Sequence, residues 1–575
     1  MTTMRFKMSR RKQGKWQTSM GRDKFLPCYW IGGFLLLLGL IALWVRHDEQ
    51  TDSYADHGFT YKQPTLTSPE HQAAYHLTSS QGWSNDLQTI YYDQQSQSYR
   101  IYFLHSRDGA TKPFGPKGQS WTVTSTKDFI HFSKQKTAIK ATYLTHAEAW
   151  KSAWTGSVIQ NTGLIQGVPK GAPVAYFSGL KRRDGSQNVW AAWSSDGGLT
   201  FSHPLNDGKP VLDHSWPFAS QKADQERDPA VFYNNGKMIM YVAEGNQFGV
   251  YQSANGLTWT KADEKGASKV LGTSVLNGFN EQDQPLECPV VRFMKNAQGQ
   301  AKTILFFGAK MPQNGQTTGT YYIVGHLDQN GLFTPEGSSQ RLDQGSDFYG
   351  ANFTGSPDSA APGQAIYAMG WIGNWSYTAS GILAGQSSQA KKSRRLGSYS
   401  LARKLFLNGQ QLLQTPVTAK LRETAAKSSQ GQLSGSNWKQ IASLKRQPAN
   451  SHYQLKLTKF TGTVQLFLIQ GSDQIELQLN AATGAYQVTR VANELLGQAK
   501  ADYQAQQNGQ FPPSTELNLN VYTDKNSVEI FFPGGQACTL ARYSVSRQQD
   551  LTILAQGSQD QFTFSSRQAG ADLPD

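Results

Sequence analysis

Three carboxylates stand in local settings that a solvated charged surface does not explain. Asp86 lies in "GWSNDLQTIYYD" (82–93), just after Trp83 and Asn85 and ahead of a strand-like run ending in Tyr91 and Tyr92. Asp228 sits in "QERDPAVFY", between Arg227 and Pro229, and Glu287 in "QPLECPVVRF", between Leu286 and Cys288. Retaining cleavage of a glycosidic bond needs such a set: an ionised carboxylate as nucleophile and a protonated acid about 5 Å away, around an oxocarbenium-like transition state. The apolar neighbours of Glu287 favour a neutral acid and suit it to acid/base work. Asp228, held by Arg227 or by sugar hydroxyls, would stay anionic and stabilise developing positive charge. Asp86, in a polar loop, is left as the nucleophile. Trp83 would offer a face to a sugar ring and Asn85 a hydroxyl contact. Each residue alone also fits a plainer role: a turn former, a local ion pair before a Pro-started strand, or an edge Glu with apolar neighbours.

These carboxylates are 142 and 59 positions apart, so only a closed architecture that points many strands at one axis gathers them. Residues from about 75 to 415 have that character. Short runs such as "YRIYFLH", "APVAYFSGL", "VWAAWSS", "TILFFGAK" and "TYYIVGHL" are rich in β-branched and aromatic residues and bounded by Gly, Asn, Asp or Ser, which predicts strands. "STKDFIHF" (125–132), "SSDGGLTF" (194–201), "SANGLTW" (253–259) and "LDQNGLF" (327–333) share a polar turn and a closing aromatic, about 60 to 75 residues apart. That spacing divides residues 72–415 into about five blades of a β-propeller. Radial repetition also protects the edges of many short strands.

"TAAKSSQGQLSGSN" (424–437) reads as a hinge or loop. Beyond it, runs such as "YQLKLTKF", "TVQLFLIQG", "QIELQLN" and "ELNLNVYTD" alternate cleanly between apolar and polar residues. Two antiparallel sheets with one wet face each carry that pattern, so residues 425–575 are expected to form a β-sandwich.

The first 24 residues hold eight Lys/Arg and one acid, and an apolar run without charge follows from Phe25 to Val45. Twenty-one helical residues span about 30 Å, the thickness of a bilayer core. The charge asymmetry keeps the basic tail in the cytoplasm and sends everything after Arg46 outside. A cleaved signal peptide would have a shorter apolar region ending in small residues, whereas this one ends in Trp44 and Val45. The expectation is an uncleaved, single-pass anchor at 25–45, a linker over 46–71, and an extracellular catalytic part. About half of the net charge of +14 resides in the tail, where anionic lipid accounts for it; the pI needs no nucleic-acid partner. Only Cys28, Cys288 and Cys538 are present, with no CxxC or HExxH spacing, so neither a protein-built metal site nor a cofactor is expected.

The order and surroundings of the three carboxylates resemble glycoside hydrolase family 32, the fructan and sucrose hydrolases, over nearly everything from residue 72 onward. "GWSNDLQ" is similar to the family's Trp-x-Asn-Asp-Pro motif, "ERDP" to its Arg-Asp-Pro motif and "LECP" to its Glu-Cys motif. The resemblance implies Asp86 as nucleophile, Asp228 as transition-state stabiliser and Glu287 as acid/base. It implies fructoside contacts at Trp83, Asn85, Gln88, Trp121, Trp154, Ser157, Arg227 and Trp371. "AWTGS", "DFYGANF", "MGWIGNWSY" and "SVEIFF" are further family-like stretches, and the implied fold is an all-β five-bladed propeller followed by a sandwich. Leu87 replaces the usual Pro, and "IYFLHSRDG" replaces a Phe-Tyr-Gln contact that His105 would supply. With the anchor, these departures resemble bacterial levanases that cut internally or release levanbiose, the substrate being a fructan polysaccharide or oligosaccharide. Exo-acting fructosidases or invertases, and a non-catalytic fructan-binding propeller, remain open alternatives, as does the shape of loop 109–120 that would separate internal from chain-end cleavage.

Overall fold

The computed structural model describes residues 73–106, 118–141, 143–144, 149–181, 187–214, 226–245, 247–262, 286–311, 316–355, 365–378, 395–433, 435–491, 500–544, 546–557 and 560–572. The expected basic tail, anchor and linker, and most of loop 109–120, lie outside these. Among the described residues no helix is long and apolar enough to cross a membrane.

Alternation of aromatic and β-branched residues with polar ones builds five sheets around one axis, three of five strands and two of four, antiparallel except for one added parallel pair. Their innermost strands are Gly82–Asp93, Ala149–Gln160, Glu226–Asn234, Glu287–Lys295 and Tyr349–Phe353. Each blade packs its apolar face on the next: Ile159, Val174 and Tyr176 meet Val231, Met240 and Val242, and Ala230, Ile239 and Tyr241 meet Val291, Leu305 and Ile323. The ring is closed by backbone pairing of distant segments. Arg395–Leu396 runs parallel to Gly82–Trp83, and the Tyr399 amide donates to the Leu77 carbonyl at 2.9 Å.

The four repeated turns follow the third strand of blades one to four, and one device makes all of them. A side-chain oxygen accepts backbone N–H groups two to four residues ahead: Asp128 from Ile130 and His131, Asp196 from Thr200, Asn255 from Leu257 and Thr258, and Asp328 from Asn330 and Leu332. The closing aromatics Phe201, Trp259 and Phe333 are buried between blades, whereas in the first turn the closing Phe132 is half-buried and Phe129 takes the buried place. Blade five has a two-residue hairpin between Arg403–Asn408 and Gln411–Pro416 instead, so the repeat is visible four times and not five.

Residues from 422 onward form two packed sheets, one of seven strands and one of six, whose inner faces meet through Leu455, Val521 and Ile530 on one side and Leu466, Leu477 and Ile553 on the other. The stretch expected as a hinge contains a strand, Lys427–Leu433, paired with Asp560–Gly570. Its side chains are exposed on almost every position, so no apolar alternation marks it in the sequence. Cys288 and Cys538 are free and buried, the first in the propeller and the second in the sandwich core.

Candidate active site

All five innermost strands carry the same irregularity near their first residues. Two residues stand opposite one on the neighbouring strand: Asn85-Asp86, Trp154-Thr155, Asp228-Pro229, Cys288-Pro289 and Gly350-Ala351. Such bulges bend a strand and re-aim its side chains, and five of them at one end of the axis turn Asp86, Asp228 and Glu287 toward each other. Proline costs nothing at the second bulged position, because the ladder there asks for no N–H. Asp228, Cys288 and Gly350 adopt left-handed backbone with φ of 65°, 50° and 50°, a conformation unfavourable for a non-glycine residue and characteristic of functional sites.

Side chains tie the ring together where the inner strands stand too far apart for a backbone ladder. Gln88 bridges blades one and two, its Nε2 donating to the Asp86 carbonyl at 2.8 Å and its Oε1 accepting from the Gly156 amide at 2.9 Å. Ser157 bridges blades two and three, donating to the Pro229 carbonyl at 2.9 Å and accepting from the Val231 amide at 2.9 Å. The Cys288 amide donates to Asp228 Oδ2 at 3.0 Å, joining blades three and four. The Cys288 thiol lies 3.6 Å from the same oxygen and 4.0 Å from Asp86 Oδ2. Behind this layer the axis holds a cavity of about 560 Å³ lined by Gln88, Ser157, Arg292 and Asn352 among others.

The three carboxylates differ in their surroundings. Asp86 is buried, and its Oδ1 has no hydrogen-bond partner among the described residues. Burial first, then the charge of Glu287, push its pKa up to about 7, against a smaller opposing pull from the Asn85 amide. Burial also lifts Asp228, to about 6; Arg227 opposes that and Glu287 adds to it. Glu287 is more open. Arg227 Nη2 donates to its Oε1 and the Tyr349 hydroxyl to its Oε2. The apolar enclosure expected for it is therefore absent on that side: the bulge sends Cys288 into the ring and leaves the Glu287 carboxyl facing a guanidinium and a phenol.

Several of the residues expected to touch sugar are instead braces. Trp83, Trp121 and Trp371 are 1%, 0% and 0% exposed, so no face of theirs is open to a ring. Trp83 Nε1 and Gln119 Nε2 both donate to Asn85 Oδ1 at 2.8 Å, and the Tyr399 hydroxyl donates to the Asn85 carbonyl at 2.6 Å. Asn85 is thereby locked in the position that presents Asp86. Trp371 packs edge-on against Trp83, and Trp121 Nε1 donates to the Trp154 carbonyl at 2.8 Å. Gln88 and Ser157 spend their polar groups on the ring. His105 is buried with Nε2 on the Gln81 carbonyl at 2.6 Å, and Leu87 belongs to the core beneath Trp83. Trp154 and Arg227 keep partial exposure beside the carboxylates.

Tyr349, Gly350, Gln119 and the Cys288 thiol contribute to the site without having been singled out by residue type and spacing. Gly350 has a legible physical requirement: a Cβ there would stand 2.5 Å from the Asp86 carboxyl. Replacing Gly350 with Ala should cost about 3 kcal/mol through this collision and the left-handed backbone, measured by denaturant unfolding. An unchanged midpoint would show that Asp86 can move aside.

Comparison with known proteins agrees with this geometry. Residues 76–416 match the glycosyl hydrolases family 32 N-terminal domain, and residues 412–569 match the family's C-terminal domain. A levanbiose-producing levanase of Bacillus subtilis (strain 168) is 28% identical over 351 residues, 60% of this chain and 60% of that protein. An invertase of Wickerhamomyces anomalus is 24% identical over 60% of this chain and 56% of its own length. The chain thus matches about three fifths of the length of these curated relatives. The crystal structure of an exo-inulinase from Aspergillus awamori superposes with a TM-score of 0.69 at 19% identity, covering 89% of this chain and 99% of that one, and shows the same fold. With a domain match over most of the chain and three carboxylates at one mouth of a five-bladed propeller followed by a sandwich, the chain belongs to glycosyl hydrolase family 32.

Proposed function

We propose that this chain is a retaining β-fructofuranosidase whose principal substrate is levan, the β-2,6 fructan, cleaved internally or released as levanbiose. The observation that carries the reading is the pairing of a buried Asp86, one of whose carboxyl oxygens has no hydrogen-bond partner among the described residues, with a Glu287 carboxyl oriented by two donors. Asp86 attacks the anomeric carbon of the fructosyl unit while Glu287 gives its proton to the departing oxygen, forming a fructosyl-enzyme ester. Glu287 then takes a proton from water, which attacks the same carbon and frees Asp86. Asp228 lies beside both groups and stabilises the positive charge of each transition state. Arg227 orients Glu287 and offers its remaining N–H groups to sugar hydroxyls, and Trp154 borders the same mouth.

The preference for levan is supported by the levanase relative. A second reading, an exo-acting fructosidase that also takes sucrose and inulin, is supported by the invertase relative. Incubation of the full chain with levan, inulin and sucrose in parallel separates them. Difructose or longer oligomers from levan, with sucrose spared, is the expected result. Free fructose from all three substrates would replace it with the exo reading, and no released sugar would leave only a fructan-binding propeller.

The basic tail and the apolar run 25–45 support an outward-facing catalytic part tethered to the cell membrane. The chain should stay with membranes through a high-salt wash and be digested by protease added outside intact cells. Recovery in the soluble fraction would overturn the anchor.

A further inference from the structure

We infer that the β-sandwich is a working part of the active site: Arg490, on the sandwich strand Ala485–Val491, is a positioning residue that sets Glu287 through Asp347 and Tyr349. This rests on the proposed role of Glu287 as acid/base.

The chain between the fourth and fifth blades, from Asp343 to Phe348, lies along the open edge of the sandwich strand Ala537–Ala541. The Gln344 amide donates to the Ala537 carbonyl at 2.8 Å, and the Asp347 amide to the Thr539 carbonyl at 3.2 Å. In return, the Thr539 amide donates to Asp343 Oδ1 and the Ala541 amide to Asp347 Oδ2, both at 2.9 Å. The approach is so close that a Cβ on Gly345 would stand 2.1 Å from the Thr539 carbonyl oxygen. A propeller loop has taken the place of the next strand, so the free edge of the sandwich acts as a template for it.

Arg490 holds this loop from the far side. Its Nη1 pairs with Asp347 Oδ2 at 2.7 Å and its Nη2 donates to Ser346 Oγ at 2.7 Å. Its guanidinium is buried on the face of Tyr503, 3.9 Å from the ring centre. Tyr377 also donates to Asp347, through Oδ1. Both oxygens of Asp347 are thus committed, and its amide is held by the Thr539 carbonyl. Two residues further on, the Tyr349 hydroxyl holds Glu287, and at Gly350 the backbone lies against the Asp86 carboxyl. One short segment is therefore anchored to the sandwich at one end and touches both reacting carboxyls at the other.

A displacement of about 1 Å at a reacting group costs about 10²-fold in rate, and it falls on the step that needs the group. Loss of Arg490 should therefore affect protonation of the leaving oxygen more than binding. The test compares full-length wild type with Arg490→Met, Arg490→Lys, Tyr349→Phe and Glu287→Gln. Each is assayed on the fructoside that the wild type cleaves and on p-nitrophenyl β-fructofuranoside, whose leaving group departs without a proton. Losses are compared in kcat/KM, which runs only to formation of the ester and so leaves out the later base step that both substrates share; there Glu287→Gln should lose far more on the first substrate than on the second. Arg490→Met should show the same imbalance at smaller amplitude, with kcat on the natural fructoside down by about 10²-fold, KM within about twofold, and Arg490→Lys recovering only part of the loss. Tyr349→Phe should fall between them.

Equal losses on both substrates in Arg490→Met, or an unchanged kcat with only a lowered melting temperature, would overturn the inference while Glu287→Gln still shows the imbalance. If Arg490→Met does not fold, Arg490→Lys decides: it keeps a charge for Asp347 but loses the second donor to Ser346, and kinetics identical to wild type in it would also overturn the inference. Equal losses in Glu287→Gln itself would instead remove the acid/base reading, and the inference with it.

Discussion

Replacing Asp86 with Asn should lower kcat on fructosides by about 10⁴-fold or more and at the same time make the protein more stable, increasingly so as the pH rises. The amide keeps the shape of the carboxylate but cannot form the fructosyl ester, and loss of a nucleophile removes most of the catalysis that its partners provide jointly. The stability effect follows from the setting of the wild-type group. Asp86 is buried beside Glu287 and its pKa rises from 3.8 to about 7 on folding. A carboxyl with a raised folded value favours folding in its neutral form. Its contribution is complete below pH 3.8 and is lost as the pH climbs through about 7, where ionisation costs about 4 kcal/mol. Asn carries no such dependence. The gap in melting temperature between Asp86→Asn and wild type should therefore be small at pH 4 and widest at pH 8, as read by thermal unfolding. A gap that is constant with pH, or that narrows toward pH 8, would mean that Asp86 is not held in a dry, like-charged site. The same group sets a kinetic limit: kcat/KM of the wild type should fall as the pH drops through about 7, because only the anion attacks.

Much of this site is legible in residue types, and the remainder has a specific reason for being hidden. "RDP" and "ECP" announce themselves because proline after the key residue is tolerated at a bulge and awkward in a regular inner strand. The blade repeat is readable through Asp128, Asp196, Asn255 and Asp328, since a side chain that caps a turn is chosen by local chemistry. Orientation is not local. Trp83 and Trp371 have the composition of a sugar platform, yet the bulge at Asn85-Asp86 turns Trp83 inward, where its N–H braces Asn85. Tyr349 is an ordinary strand aromatic by pattern, and only the packing of blade five beside blade four brings it to Glu287 across 62 residues of chain. The strand Lys427–Leu433 is hidden for the opposite reason: pairing at a sheet edge needs only backbone, so its side chains carry no signal.

The interface between propeller and sandwich should prove the most fragile place in the molecule. Arg403, fully buried, joins Asp343 Oδ2 and Glu529 Oε2, each at 2.6 Å, and also donates to Gln414 at 3.0 Å. The other oxygen of Glu529 accepts from His76 Nε2 at 2.8 Å, and His76 Nδ1 lies 3.0 Å from Asp524. Truncating Arg403 to Met takes the guanidinium from buried Asp343 and leaves Glu529 with His76 alone as charged partner, a defect that costs about 3–5 kcal/mol. Denaturant unfolding should show that loss, and Arg403→Met combined with Asp343→Asn and Glu529→Gln should recover part of it. No loss in the single variant would mean that water reaches the cluster. Burial works against a charged His76, but its two carboxylate partners prevail and raise it from 6.5 to about 9. The same contacts, with Arg403 acting on Glu529, outweigh burial and lower Asp524 and Glu529. The histidine contribution is whole below pH 6.5 and fades as the pH rises through about 9, whereas the carboxylate contribution is whole above about pH 4.5 and fades in acid. The cluster is therefore strongest between about pH 4.5 and 6.5. His76→Gln should flatten the decline in stability from pH 6.5 to 9 that Asp86→Asn leaves behind, since the two groups lose their contributions in adjoining pH windows and lie in separate parts of the molecule.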